Sequence, residues 1–319
     1  MISPARSYCT SQTKNSLATN FMKRTLSLLC LCFVINVSCS KVIGQDVAFR
    51  KRILQIKDTV NAKVGVAIID LNSLDTLTLD NTSHFTMQSV FKFPLALTVL
   101  HLIDLKKLSL AQKVHITKED YIPNTWSQIA KEHAEGNVEL TLEELLMYTI
   151  SKGDNNTCDI LFRLVGSPLA IQKYVHDIGV KDIAIVANEE EMHKSWDVQY
   201  SNWSTPIAMA ELLRLAFKTD ILSRNSRDFL WNAMVATMTG SKRIKGLLPS
   251  DVTVAHRTGG SSTSEEGITP ATNDVGIISM PNGKQLVVVV FVSDSKEKGE
   301  KNEKVIAEIS KASYDYFAN

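Results

Sequence analysis

The sequence predicts two lobes: an α/β lobe built on an antiparallel sheet flanked by helices, and an all-α lobe. Three observations lead there. Short β-branched segments cluster at the two ends of the chain, and segments with helical apolar spacing fill the middle. A Pro281-Asn282-Gly283 turn between two strand signals makes their pairing antiparallel.

Taken in order, Val64-Gly65-Val66-Ala67-Ile68-Ile69 is short and β-branched. Thr76 to Leu79 follows a turn-rich gap, so the two read as a hairpin. No strand of similar quality is expected between residues 90 and 250. Amphipathic stretches at Leu140–Thr149, Asp159–Val165 and Ile207–Phe217 predict helices there. Strand signals return at Val252–Ala255, Val275–Met280 and Gln285–Val292, and a last amphipathic helix is expected over Lys304–Phe317. The ends of the chain thus share one sheet, with the α/β lobe drawn from about 45–84 and 240–319 and the helical lobe from about 85–239. A cleft between two such lobes is a common small-molecule site.

The chain has 319 residues, 44% apolar and 22% charged, enough to bury a large core. A net charge of +1 without a long basic run excludes a nucleic-acid binder. Met22, Lys23 and Arg24 precede an apolar run from Leu26 to Val37 and then small residues, the layout of a secretory leader. The run is too short for a membrane span, so the leader is assigned to residues 1–44 and the mature domain to 45–319. A lipid anchor on Cys39 is the alternative, and Asn36-Val37-Ser38 fits that signal poorly. Of five cysteines, Cys9, Cys30, Cys32 and Cys39 leave with the leader. Cys158 remains in an apolar stretch and reads as a packed thiol.

Ser-x-x-Lys occurs five times, so spacing alone selects nothing. Only Ser89 opens a long apolar segment, Val90-Phe91-Lys92-Phe93-Pro94-Leu95-Ala96-Leu97, with Pro94 where an early helical turn tolerates it. Three residues on a helix bring Lys92 to the face of Ser89. A lysine in that apolar setting is costly unless paired or functional, and its amine can take the serine proton. Downstream, Gly153-Asp154-Asn155 begins a predicted helix, and Arg257-Thr258-Gly259 ends a predicted strand.

In this order the three motifs resemble Ser-x-x-Lys, Ser-Asp-Asn and Lys-Thr-Gly of class A serine β-lactamases and penicillin-binding proteins. Between the last two, Asn188-Glu189-Glu190-Glu191-Met192-His193 is similar to the Glu-x-x-x-Asn loop that separates the β-lactamases from the transpeptidases. Pro123-Asn124-Thr125-Trp126-Ser127, Gln199-Tyr200-Ser201-Asn202-Trp203 and Ala271-Thr272-Asn273-Asp274 resemble the extended-spectrum, cephalosporin-hydrolysing branch. The resemblance implies the two-lobed serine β-lactamase/transpeptidase-like fold and hydrolysis of β-lactam antibiotics through an acyl-enzyme. The product is expected to be a periplasmic monomer without cofactor or metal.

Carried over by residue, the resemblance makes Ser89 the nucleophile and Lys92 its proton partner. Glu189 holds the hydrolytic water, and Glu190 and Glu191 are solvated loop charges. The backbone N–H groups of Ser89 and Gly260 form the oxyanion hole. Asn155 binds the substrate's side-chain amide, Arg257, Thr258 and Arg243 face its carboxylate, and Trp126 walls the mouth. His193, where the family has asparagine, is either a second water-positioning group or a structural histidine.

Four departures stand out. Gly153 replaces a serine whose hydroxyl delivers a proton to the departing lactam nitrogen. Water, or the hydroxyl of Ser151 or Thr258, is the expected substitute, and Gly153→Ser is expected to speed acylation. Arg257 replaces lysine and keeps the positive charge. Ala187 and Asn202 stand where the class has an Arg–Asp ion pair, so that loop needs another fastening. The competing readings are a DD-peptidase and a slow-turnover penicillin-binding or sensing protein; Glu189 argues against both.

Overall fold

The computed structural model describes residues 47–318, and the predicted leader and its four cysteines lie outside them. The chain divides into two units, Met1–Lys51 and Arg52–Asn319. Of the first unit only residues 47–51 are described, as the start of a helical stretch over residues 47–57.

In the second unit a five-stranded antiparallel sheet is made from β1 (Lys63–Asp70), β2 (Thr76–Leu79), β3 (Thr253–Gly260), β4 (Thr269–Ser279) and β5 (Gln285–Ser295), in the order β2-β1-β5-β4-β3. The last strand in sequence is therefore central. It pairs with β1 from Lys63↔Ser293 to Asp70↔Leu286 and with β4 from Gln285↔Ser279 to Ser295↔Thr269. Its run of β-branched residues is buried on both faces. Val287, Val289 and Phe291 join the main core with Ala67 and Ile69, and the alternating set from Leu286 to Val292 points to the other face. The Pro281–Gly283 turn closes the β4–β5 hairpin as expected, with Gly283 at φ +81°.

The middle of the chain is helical, built around α1 (Lys92–Asp104). Lys92 through Leu100 are all buried, as in a helix apolar on every side. Around it stand α2 (Asn155–Val165), capped by Asp154, a helix over Pro168–Asp177 and α4 (Arg224–Val235). Between these and the sheet runs α3 (Pro206–Lys218), with Thr205 as N-cap and Pro206 in its first turn. The last helix, α5 (Gly299–Ala318), lies along β4 and β5.

Two expectations need correction. The helix read from Leu140 begins at Leu142, because Thr141 forms a reciprocal capping box with Glu144, and Val138–Thr141 instead pairs with Lys113–Ile116. The middle of the chain also contains two-residue strands: Trp203–Ser204 bridges Phe85–Thr86 and Ile183–Ala184. Pairs this short leave no periodicity to detect.

Candidate active site

A cleft of about 710 Å³ is lined by Ser89, Trp126, Gly153, Asn155, Glu189, His193, Arg243, Arg257, Thr258 and Gly260. Lys92 lies fully buried beneath it. All ten predicted site residues thus meet in one place.

Ser89 sits in a 3₁₀ turn, Gln88–Phe91, that runs directly into α1. The preceding Gln88 is held at φ +47°, an uncommon conformation for a residue with a side chain. Neighbours hold the segment there: Asn273 Nδ2 donates to Thr86 O at 2.8 Å and Met87 O at 3.2 Å, and Arg257 Nε donates to Ser89 O at 3.0 Å. Gly259 permits the approach of β3, since a Cβ there would lie 2.3 Å from Met87 O.

Lys92 Nζ donates to Ser89 Oγ at 2.8 Å, to Asn155 Oδ1 at 2.7 Å and to Glu189 Oε1. Three acceptors match the three protons of an ammonium, which resolves the cost of burying it. The same contacts form a continuous path for a proton from Ser89 through Lys92 to Glu189. Asn155 is itself anchored, donating Nδ2 to Thr125 Oγ1 at 2.7 Å.

Glu189 opens a short helix, Glu189–Met192. Asp159, on α2, accepts from Glu189 N at 2.8 Å and Glu190 N at 2.9 Å. Burial raises the Asp159 carboxyl to about 6, against the lowering effect of those two N–H groups. Glu191 is half-buried and its carboxylate accepts from Asn188 N at 2.9 Å in a capping box, while Glu190 is the exposed one. His193 binds Glu189 O through Nδ1 at 2.7 Å. The missing ion pair of this loop has its replacement in Asn202, which is fully buried and bonds Val186 and Ala187.

The cationic wall is more constrained than its charge suggests. Arg257 is 2% exposed and donates Nη1 to Ile150 O at 3.2 Å in addition to its bond with Ser89 O. Burial lowers its guanidinium to about 10, still protonated at neutral pH. Arg243 donates Nη1 to Gly259 O at 2.9 Å and Asn273 O at 2.8 Å, and its Nε pairs with Glu303 at 3.2 Å. Thr258 shares a 2.6 Å hydroxyl contact with Thr239. Trp126 is 54% exposed at the mouth, with its Nε1 donating to Lys152 O at 3.1 Å and the Lys131 ammonium 4.1 Å from its ring centroid. Ser151 is not available as a proton donor to the cleft, because its hydroxyl is buried and donates to Ala233 O at 2.8 Å. Cys158 is buried as expected. Lys92 and Arg257 are close enough to act on it electrostatically, which sequence reading missed, yet burial dominates and pushes its thiol well up.

Asp159 was also missed as a site residue. Its signal was a lone carboxylate in the apolar run Cys158–Phe162, a position that demands partners.

A helical lobe and an antiparallel sheet that together present a cleft serine backed by a buried lysine–glutamate pair define a serine hydrolase of the acyl-transfer type. The chain belongs to the β-lactamase enzyme family, class A, whose model matches residues 48–317. It is 49% identical over 261 residues to β-lactamase VEB-1 of Pseudomonas aeruginosa, covering 81% of this chain and 87% of that protein. It is 40% identical to the extended-spectrum β-lactamase PER-1 of the same organism, covering 89% and 92%. The solved structure of TLA-1 extended-spectrum β-lactamase superposes with a TM-score of 0.84 at 47% identity, covering 85% of this chain and 99% of that one. The chain is accordingly a β-lactam hydrolase that works through a serine acyl-enzyme.

Proposed function

We propose that Ser89 is the nucleophile of this hydrolase, that Lys92 and Glu189 move its proton, and that the substrates include cephalosporins. The contact of Lys92 with both Ser89 and Glu189 carries the reading. Ser89 Oγ attacks the lactam carbonyl and its proton passes through Lys92 to Glu189. The oxyanion is received by the N–H groups of Ser89 and Gly260. The C–N bond then breaks and the nitrogen takes up a proton, while Glu189 gives up the one it received and is a carboxylate again. Glu189 next draws a proton from water as that water attacks the ester, and Ser89 leaves with a proton returned through Lys92. Asn155 meets the substrate's side-chain amide, Arg243, Thr258 and Arg257 supply the positive field for its carboxylate, and Trp126 walls the mouth. The Nδ1 contact of His193 with Glu189 O supports a role in orienting the loop.

The same reading takes residues 45–319 as the mature, monomeric, periplasmic domain after loss of residues 1–44, with the lobes at the boundaries given above. No helix among the described residues is long and apolar enough to cross a membrane.

Mass spectrometry of the protein after a penicillin pulse, with peptide mapping, tests the assignment. The adduct is expected on Ser89 and is expected to vanish in Ser89→Ala. An adduct on another residue overturns it. In Glu189→Gln the adduct should form and persist, with deacylation slowed about 10²–10⁴-fold. Release of D-alanine from a cell-wall peptide in preference to hydrolysis of a chromogenic cephalosporin would make the protein a peptidase instead.

A further inference from the structure

The two departures from the family motifs, Gly153 and Arg257, meet in space. A Cβ on residue 153 would lie 3.1 Å from Arg257 Nη2 and 3.3 Å from Nη1, closer than side-chain carbons normally come to a neighbour. Gly153 ends the π-helical turn Tyr148–Lys152 at φ +74°, a conformation that a side chain further disfavours. The guanidinium therefore packs tightly against the place where a side chain on residue 153 would begin. It is fixed there by Ser89 O on Nε and Ile150 O on Nη1.

These two bonds use one proton on each of Nε and Nη1. Nη2, the nitrogen nearest residue 153, makes no hydrogen bond among the described residues. A lysine's three protons leave from a single nitrogen, so it cannot place its donors on three separate atoms. The planar, five-donor fork of arginine can.

We propose that Gly153 and Arg257 work as one unit, in which Arg257 Nη2 replaces the hydroxyl that residue 153 lacks and orients the water that protonates the departing lactam nitrogen. The proposal rests on Ser89 being the nucleophile. As the Ser89 Oγ–carbon bond forms and the carbon–nitrogen bond breaks, its electron pair moves onto nitrogen. Nitrogen takes a proton from a solvent water held by Nη2, and the resulting hydroxide recovers the proton that left Ser89. The guanidinium stays protonated throughout, so Arg257 positions the donor and is not the acid. This reverses the expectation that Gly153→Ser speeds acylation: the new side chain meets the guanidinium first.

A double-mutant cycle of Gly153→Ser, Arg257→Lys and their combination tests the proposal, with acylation and deacylation of a chromogenic cephalosporin resolved by stopped flow. The lactam nitrogen departs only in acylation. Each single substitution is therefore expected to slow acylation by about 10-fold or more while deacylation stays within about 2-fold. The combination, which restores both a hydroxyl and room for it, is expected to recover to within about 3-fold of the parent, far from additivity. Additive rates, or a Gly153→Ser protein that acylates as fast as the parent, overturn the pairing. Should Gly153→Ser fail to fold, Arg257→Lys alone decides: it is smaller and keeps the charge, and equal slowing of both steps would make the fork merely structural. A parent protein that forms no adduct on Ser89 overturns the nucleophile assignment itself, whereas an adduct on Ser89 with additive rates overturns the pairing alone.

Discussion

Asn202 grips the Ala187 peptide from both sides, its Nδ2 donating to Ala187 O at 2.7 Å and its Oδ1 accepting from Ala187 N at 3.0 Å. The same oxygen accepts from Val186 N at 2.8 Å. One buried amide thus does the fastening that an ion pair performs elsewhere in the class, without the cost of desolvating two charges. Asn202→Leu leaves buried main-chain groups unpaired and is expected to cost about 2–4 kcal/mol. Urea denaturation measures the loss. Deacylation should slow more than acylation, because the loop carries Glu189.

Asp159 gives the same loop a pH dependence. Its carboxyl is raised to about 6 by burial, so the folded state holds the proton more tightly than the unfolded chain does. The stability this contributes is complete below the unfolded value near 4 and is lost as pH rises to about 6, with a slope of about 1.4 kcal/mol per pH unit. The stability of the parent minus that of Asp159→Asn should therefore fall across this window and be level above it. A difference independent of pH would locate the titration elsewhere.

At Gly259 even a methyl group would lie 2.3 Å from Met87 O, which is main chain and cannot swing aside. Gly259→Ala is expected to push β3 off the segment that presents Ser89, costing about 1–3 kcal/mol of stability. Acylation should fall with it. Thermal melting and stopped-flow acylation on the same preparation check both effects.

The Trp126 side chain is exposed, and among the described residues it is held by one hydrogen bond, to Lys152 O, and by the Lys131 ammonium over its ring, so its removal should leave stability nearly unchanged. Trp126→Ala is expected to raise KM for substrates with bulky acyl groups while kcat holds, the signature of lost uniform binding. A fall in kcat at constant KM would instead give it a role in the chemistry.

The sheet, the final helix and the helices Asn155–Val165 and Pro206–Lys218 were legible because apolar periodicity is local. Ser89, Lys92, Asn155 and Glu189 were legible because their motifs are short and ordered along the chain. Asn202, Asp159 and Asn273 carried no comparable signal: the backbone groups they hold are 15, 30 and 187 residues away. The meeting of Gly153 with Arg257 was equally hidden, since the motifs suggest two separate substitutions and only the folded chain shows that one makes room for the other.

The position of β5 at the centre of the sheet sets an order of assembly. β1 finds its main partner only when residues 285–295 exist, so Lys63 waits for Ser293 and Asp70 for Leu286. Closing so long a loop is slow, whereas the middle helices, all within Lys92–Val235, meet across shorter stretches of chain. The helical middle is therefore free to condense first, and the sheet that carries Arg257 and Thr258 closes last. A chain interrupted before Gln285 would have its serine–lysine turn within an organised helical lobe but would lack the central strand that brings the cationic wall against it.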